Sequence, residues 1–177
     1  MNDKQHNDRL EALLAKSEIR EVLARQARGV DRTDEALLKS CYHPDAIEEH
    51  GPNFHGLAYD YIESAMVRIR KMGKMDHYLC NQHIELDGDK ARVEAYVITF
   101  VRFDSEDGAT DTLTGARSVD RFERRNGEWR IAHRKLVFDW NLDTPANEGW
   151  CRGMFDPTNP KMHHGVKSTD DLSYQDF

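Results

Sequence analysis

The stretch Met75-Asp76-His77-Tyr78-Leu79-Cys80-Asn81-Gln82-His83-Ile84-Glu85-Leu86 divides the chain in two. Before it, apolar residues recur at helical spacing; after it come long strand-like runs. Residues two apart share one face of a strand. His77, Leu79, Asn81 and His83 are therefore expected on one face, and Tyr78, Cys80, Gln82 and Ile84 on the other. Neither face is a clean apolar stripe. An imidazole and an amide beside a leucine point to the wall of a lined cavity rather than a filled core. The competing reading is a surface strand with its histidines in water, and only partners elsewhere in the chain decide between them.

Working back from this strand, apolar groups in residues 8 to 30 fall at helical spacing: Leu10, Leu13, Leu14, Ile19, Val22, Leu23, Ala27 and Val30. A long helix with one buried face follows, capped by Asn7 or Asp8 and loosened in its last turn by Gly29. A second, short helix is expected over Asp34 to Cys41, and His43-Pro44-Asp45 reads as a stop, because the residue before a proline is pushed out of the helical region. Ala46 to Glu49 reads as a short strand and His50-Gly51-Pro52-Asn53 as a turn. A third helix runs from about Leu57 to Met72, with Gly73 as its C-terminal stop.

Working forward, Asp87-Gly88-Asp89 and Asn126-Gly127 are hairpin signals. They separate strands over Lys90 to Phe103, Thr110 to Arg125 and Glu128 to Trp140. Three helices followed by a meander of long strands predict an α+β fold, with helices on one face of a curved, mixed or antiparallel sheet that bends into a cone. The domain is expected over residues 1–142. Residues 143–177 lack periodicity and are expected to wrap the domain or a neighbouring subunit up to about Phe155, with increasing disorder beyond it.

The totals bound the partners. In 177 residues, 25 basic against 32 acidic side chains leave a net charge of −7, which argues against nucleic acid or an anionic membrane as partner. Cys41, Cys80 and Cys151 form no C-x-x-C pair and fit a reducing compartment. The charged N-terminus shows no signal peptide, and no run is long and apolar enough to span a membrane, so a cytoplasmic protein is expected. No H-x-x-x-H, H-E-x-x-H or glycine-rich phosphate loop is present, so neither metal nor cofactor is expected.

Four pieces of sequence taken together resemble one family. They are the helix ending Gly29-Val30-Asp31, the segment Tyr42-His43-Pro44-Asp45-Ala46, the pattern His77-Tyr78-x-x-Asn81, and the run from Asp120 to Arg134. Their order is similar to that of the SnoaL-like branch of the NTF2-like superfamily, within it to the hexachlorocyclohexane dehydrochlorinase and scytalone dehydratase enzymes. The resemblance covers residues 8 to 142. It implies a cone-shaped α+β barrel with one deep pocket, in a homotrimer or homodimer. It also implies an Asp at the end of the first helix paired with a His on the first long strand, here Asp31 and His77, and a pocket arginine at Arg134. For a second histidine, His50, His83 and His133 stand open.

A His–Asp pair is a general base: the carboxylate fixes the tautomer and stabilises the imidazolium as it forms. With Arg134 to meet negative charge on a leaving group, the set suits elimination of water, HX or formaldehyde from a small hydrophobic, aromatic substrate. Tyr42, His50 and Asn81 are the candidate substrate-binding residues, with Thr99, Arg117 and Asp120 on strands expected to line the cone. Ordinary alternatives exist for each catalytic candidate. Asp31 could pair with Arg28 or Arg32, His77 could be a satisfied core histidine, and Arg134 could be a rim ion pair. Two other functions stay open: a ketosteroid-type isomerase, and a non-catalytic binding or structural subunit comparable to the small subunits of aromatic-ring dioxygenases.

Overall fold

The computed structural model describes residues 3–176. Helix α1 (Asp3–Asp31) is followed by α2 (Glu35–Ser40), strand β1 (Tyr42–Glu49), β2 (His55–Leu57) and α3 (Ala58–Ile69). Then come β3 (Met75–Asp87), β4 (Lys90–Phe103), β5 (Thr110–Arg125), β6 (Glu128–Pro145) and a fourth, one-turn helix α4 (Trp150–Gly153). The six strands form one curved, unclosed sheet in the order β2-β1-β6-β5-β4-β3, antiparallel except where β1 runs parallel to β6. This is the expected α+β arrangement, with four helices rather than three. No helix among the described residues is long and apolar enough to cross a membrane.

The helices follow their signals with adjustments. α1 already includes Asn7 and Asp8 in its body, so neither caps it. Ile19, Val22, Leu23 and Ala27 are buried as the spacing predicts, joined by Ala15, whereas Leu10, Leu13 and Leu14 are exposed. Gly29 does not loosen the last turn: a Cβ there would stand 2.9 Å from Leu38 Cβ and Leu38 N, so glycine allows α2 to close onto α1. Asp34 caps α2, accepting from Leu37 N at 2.9 Å. The helix stops at Ser40, but His43-Pro44-Asp45 lies inside β1. The missing N–H of Pro44 is tolerated because the β1–β6 pairing is irregular between Tyr42 and Ile47.

Three irregularities decide which side chains face inward. Leu79 pairs with Val97 and Gln82 with Ala95, so β3 carries one extra residue across from Tyr96. This β-bulge reverses the alternation. His77 and Leu79 face the helices before it, and Ile84 is buried on that face after it. The two halves of β3 are thus out of phase with each other. β6 has comparable steps, opposite Arg121/Phe122 and Gly115/Ala116.

The outer face of the sheet carries an apolar patch. Tyr78, Ile98, Gly115 and Trp140 are successive cross-strand partners, and beside them Phe100, Leu113 and Leu142 form a second row. A Cβ on Gly115 would fall 2.1 Å from Trp140 Cε2, so the indole lies flat on the strand. Tyr78, Trp140 and Leu142 are each at least half exposed.

The tail corrects the expectation of increasing disorder. Met154 and Phe155 are exposed, and the anchored part is the last one. Lys167 Nζ donates to the carbonyls of Ile69, Met72 and Gly73 at 2.6, 3.2 and 3.0 Å, closing the end of α3. Thr33 Oγ1 donates to Lys167 O at 3.1 Å, Tyr174 Oη to Asp34 at 3.0 Å, and Arg28 to Ser173 O at 2.8 Å while lying over the Tyr174 ring. The tail therefore clasps the α1–α2 corner.

Asp171 organises that clasp. Its carboxylate accepts from Ser173 Oγ (2.6 Å), Val166 N (2.8 Å) and Ser173 N (3.0 Å), with Arg32 Nε 3.5 Å away. These hydrogen bonds, the Ser173 hydroxyl foremost, hold its pKa well below the usual carboxylate range. A carboxylate whose pKa falls on folding stabilises the fold above its unfolded value, about 4, and loses that contribution as pH drops. Melting curves of the wild type and Asp171→Asn should therefore differ most above pH ~5 and converge as pH falls below ~4. A gap independent of pH would refute this reading of the clasp.

Candidate active site

The concave side of the sheet and helices α1 and α3 enclose a cavity of about 680 Å³. Its wall is mostly apolar, with Val30, Ile62, Met75, Leu79, Val97 and Leu136 among its residues. Into it project His77 from β3, Tyr42 and Glu48 from β1, Arg134 from β6, and Tyr61 from α3. A more open cleft of about 520 Å³ runs between α1 and the β5–β6 hairpin, past Arg25 and Trp129. It contains none of the candidate residues.

Asp31 is the last residue of α1 and is buried. A carboxylate at this end meets the negative pole of the helix dipole and needs compensation from elsewhere. His77 supplies it twice. Its backbone N–H donates to Asp31 Oδ2 at 3.0 Å, and its Nδ1 lies 2.6 Å from Oδ1. Since an ionised carboxylate only accepts, this contact places the imidazole proton on Nδ1 and leaves Nε2 with its lone pair. Arg28 and Arg32, the ordinary partners considered for Asp31, are instead engaged with Ser173, Tyr174 and Asp171 in the tail.

Arg134 is 4% exposed and is not a rim ion pair. Its Nε and Nη2 donate to Asp120 at 2.9 and 2.7 Å in a two-pronged contact, while Nη1 faces Tyr42 Oη at 3.4 Å. Burial disfavours the charge on Arg134, yet the Asp120 carboxylate more than offsets this and holds its pKa well above the ordinary value. Burial likewise pushes the Tyr42 hydroxyl far up, only partly countered by Arg134, so Tyr42 is a hydrogen-bond donor throughout the working pH range.

The structure brings His77, Arg134, Tyr42 and His50 to one cavity, with Thr99 on its wall, Asp31 behind His77 and Asp120 behind Arg134. Tyr42 is a buried wall residue at the start of β1. Asn81 is not on this wall. It sits in the β3 bulge, exposed, because the extra residue breaks the alternation that placed it beside His77. His83 is exposed beyond the same bulge, 3.5 Å from Glu85. His133 turns away from the cavity to Glu49 Oε1 at 2.6 Å, and Arg117 pairs outside it with Glu94 and Asp139. Of the three histidines open for a second role, His50 alone reaches the cavity. Glu48 and Tyr61 were missed. Period two from buried Ala46 along the short strand puts Glu48 on the inner face and could have found it.

The SnoaL-like domain family matches residues 11–135. Among solved structures, the chain is similar to a scytalone dehydratase-like protein from Novosphingobium aromaticivorans DSM 12444, with 18% identity, a TM-score of 0.68, and 77% of this chain and 91% of that one covered. It is also similar to hexachlorocyclohexane dehydrochlorinase LinA-type3 from Novosphingobium barchaimii LL02, with 20% identity, a TM-score of 0.68, and coverage of 76% and 93%. A third is an NTF2-like protein with a cystatin-like fold from Novosphingobium aromaticivorans, with 19% identity, a TM-score of 0.65, and coverage of 77% and 90%. At these identities the likeness is one of fold. No curated protein matches the chain by sequence.

Removing one member of a buried ion pair strands the other charge and typically costs about 3–5 kcal/mol, whereas replacing both by apolar groups can be near neutral. Urea denaturation should show Asp120→Leu destabilised by about that amount, and Asp120→Leu with Arg134→Met less destabilised than Asp120→Leu alone. Additive losses would mean that the pair is not coupled.

Proposed function

The chain belongs to the SnoaL-like family, and on that footing we propose that it is a cofactor-independent lyase acting on a small, largely apolar, aromatic substrate. In this reading His77, oriented by Asp31, is the general base. The observation that carries it is the 2.6 Å Asp31–His77 contact on the wall of a hollow, mainly apolar cavity. A binding or structural subunit would have no need of a base held in one tautomer beside empty space. The printed names of two similar structures, a dehydratase and a dehydrochlorinase, support the class of reaction.

His77 Nε2 takes a proton while Asp31 stabilises the imidazolium that forms on the other side of the ring. If the proton leaves carbon, its bonding pair becomes the new C=C bond and the leaving group departs with the C–X pair. If it leaves the hydroxyl of a terminal CH₂OH group, the O–H pair becomes a C=O bond, the C–C bond breaks and formaldehyde is released. The pair from that bond then expels a second group or takes back the proton from His77. Tyr42 Oη and Arg134 Nη1 are the donors available for the departing oxygen or halide.

The expected homo-oligomer is proposed to form on the outer sheet face, where Tyr78, Trp140 and Leu142 present a contiguous apolar surface. Light scattering after size exclusion should report a dimer or trimer for the wild type and a smaller species for Trp140→Glu. A wild-type monomer overturns this.

Purified protein without additives should convert at least one of a panel of hydroxylated aryl and diaryl compounds, read as new conjugation in absorbance. Loss of a positioned general base should lower the rate about 10²–10⁴-fold in His77→Ala, with a comparable loss in Asp31→Asn. Turnover that survives His77→Ala would sink the mechanism.

A further inference from the structure

The mechanism leaves a buried carboxylate on the cavity wall unused. Glu48 is 2% exposed, lies on the cavity wall, and its Oε2 has no hydrogen-bond partner among the described residues. It stands opposite Arg134 in the β1–β6 pairing, but Arg134 has committed two of its nitrogens to Asp120. The nearest cationic candidate is His50, whose Nδ1 is 3.6 Å from Glu48 Oε1, too far for a hydrogen bond, and is itself buried and unpartnered. His50 is fixed by its other side. Its Nε2 is 3.3 Å from Tyr61 Oη, its ring stacks on Tyr61 at 4.8 Å, and Phe138 meets it edge-on at 5.8 Å.

A buried carboxylate oxygen with no donor is costly, and such groups are kept where a ligand completes them. The surroundings specify that ligand. Arg68 and Arg134 line the same cavity and disfavour a cation, so the donor is a neutral hydroxyl. The rings of His50, Tyr61 and Phe138 around the carboxylate suit an aromatic ring as its carrier. Glu48 and His77 lie on strands separated by three others in the sheet, so they face the cavity from different walls.

We propose that Glu48 accepts the hydrogen bond of a phenolic hydroxyl on the substrate, making the pocket selective for free phenols over their methyl ethers. The inference deepens the lyase reading and rests on it for the word substrate, but the binding site stands on its own geometry. Glu48 is a specificity residue in this account: it anchors the ring while His77 works on a carbon or hydroxyl farther along the same molecule.

The test uses binding rather than turnover. 4-Nitrophenol, whose neutral and ionised forms absorb differently, and 4-nitroanisole, its methyl ether, are titrated into the protein at a pH where both forms of the free phenol are present. Wild type is expected to take up the neutral phenol, bleaching the phenolate band, and to bind it roughly tenfold or more tightly than the ether, as loss of a hydrogen bond to a charged group implies. Glu48→Met should bind both probes alike, and Glu48→Gln, closest in shape, should lose the preference for the neutral form. His77→Ala should keep the full phenol preference. Equal binding of phenol and ether by wild type, uptake as the phenolate, no binding of the phenol, or a preference untouched by both Glu48 substitutions would each overturn the proposal. The last would mean that water completes the carboxylate. A Glu48-dependent preference in a protein that turns over no substrate would refute the lyase and leave this site standing.

Discussion

A carboxylate at the C-terminal end of a helix is in the wrong place. The dipole of α1 opposes it, and burial withholds the water that would otherwise compensate. Asp31 is held there by two donors from a single residue, the backbone and ring N–H groups of His77. This joint ties the first helix to the first core strand across 46 positions of sequence. Much of the surrounding architecture keeps α1 in position for it. Gly29 lets α2 close down on the last turn, and the tail takes up Arg28, Arg32, Thr33 and Asp34 around it. The arginines that could have neutralised Asp31 are drawn away, so they do not compete with the histidine for it.

With one exception, the buried carboxylates around the cavity obey a simple rule: each has a dedicated donor. Asp31 has His77, and Asp120 has Arg134. In a low-dielectric interior such pairing is what makes charge tolerable. It also means that Arg134 is not a free cation awaiting an anion. What it offers is the donor capacity left on a guanidinium already neutralised, next to a tyrosine that burial keeps protonated. Glu48 departs from the rule, which is why it stands out.

Much of this was legible in the sequence, and the division between legible and illegible is physical. Hairpins announce themselves locally, through Asp87-Gly88-Asp89 and Asn126-Gly127, where Asn126 and both glycines take positive φ. Helix periodicity over Ile19 to Ala27 was sufficient for the core face. The same periodicity misled at Leu10, Leu13 and Leu14, because spacing records what a helix could bury and not what reaches it. Asp31, His77 and Arg134 came from a family resemblance carried by four short motifs. The partner of Arg134 could not be read, since Asp120 meets it only through the β5–β6 register. Asn81 failed because a bulge has no reliable local signature. The tail's grip depends on isolated polar contacts, each with no period to detect.

That bulge has a wider meaning. With the hairpin at Asp87-Gly88-Asp89 fixing the register at one end of β3, the bulging of Cys80 and Asn81 opposite Tyr96 is what keeps Met75 to Leu79 in step with β4. Were the strand to run on there without a bulge, Asp76 and Tyr78 would turn inward and His77 would go to the outside, with every side chain of that half-strand chemically unchanged. Which side chains meet the cavity is thus set by how one surplus residue is absorbed as much as by residue identity. Losing one residue at the bulge would leave His77 facing inward, because Leu79 and Gln82 would then bracket a single residue as Val97 and Ala95 already do.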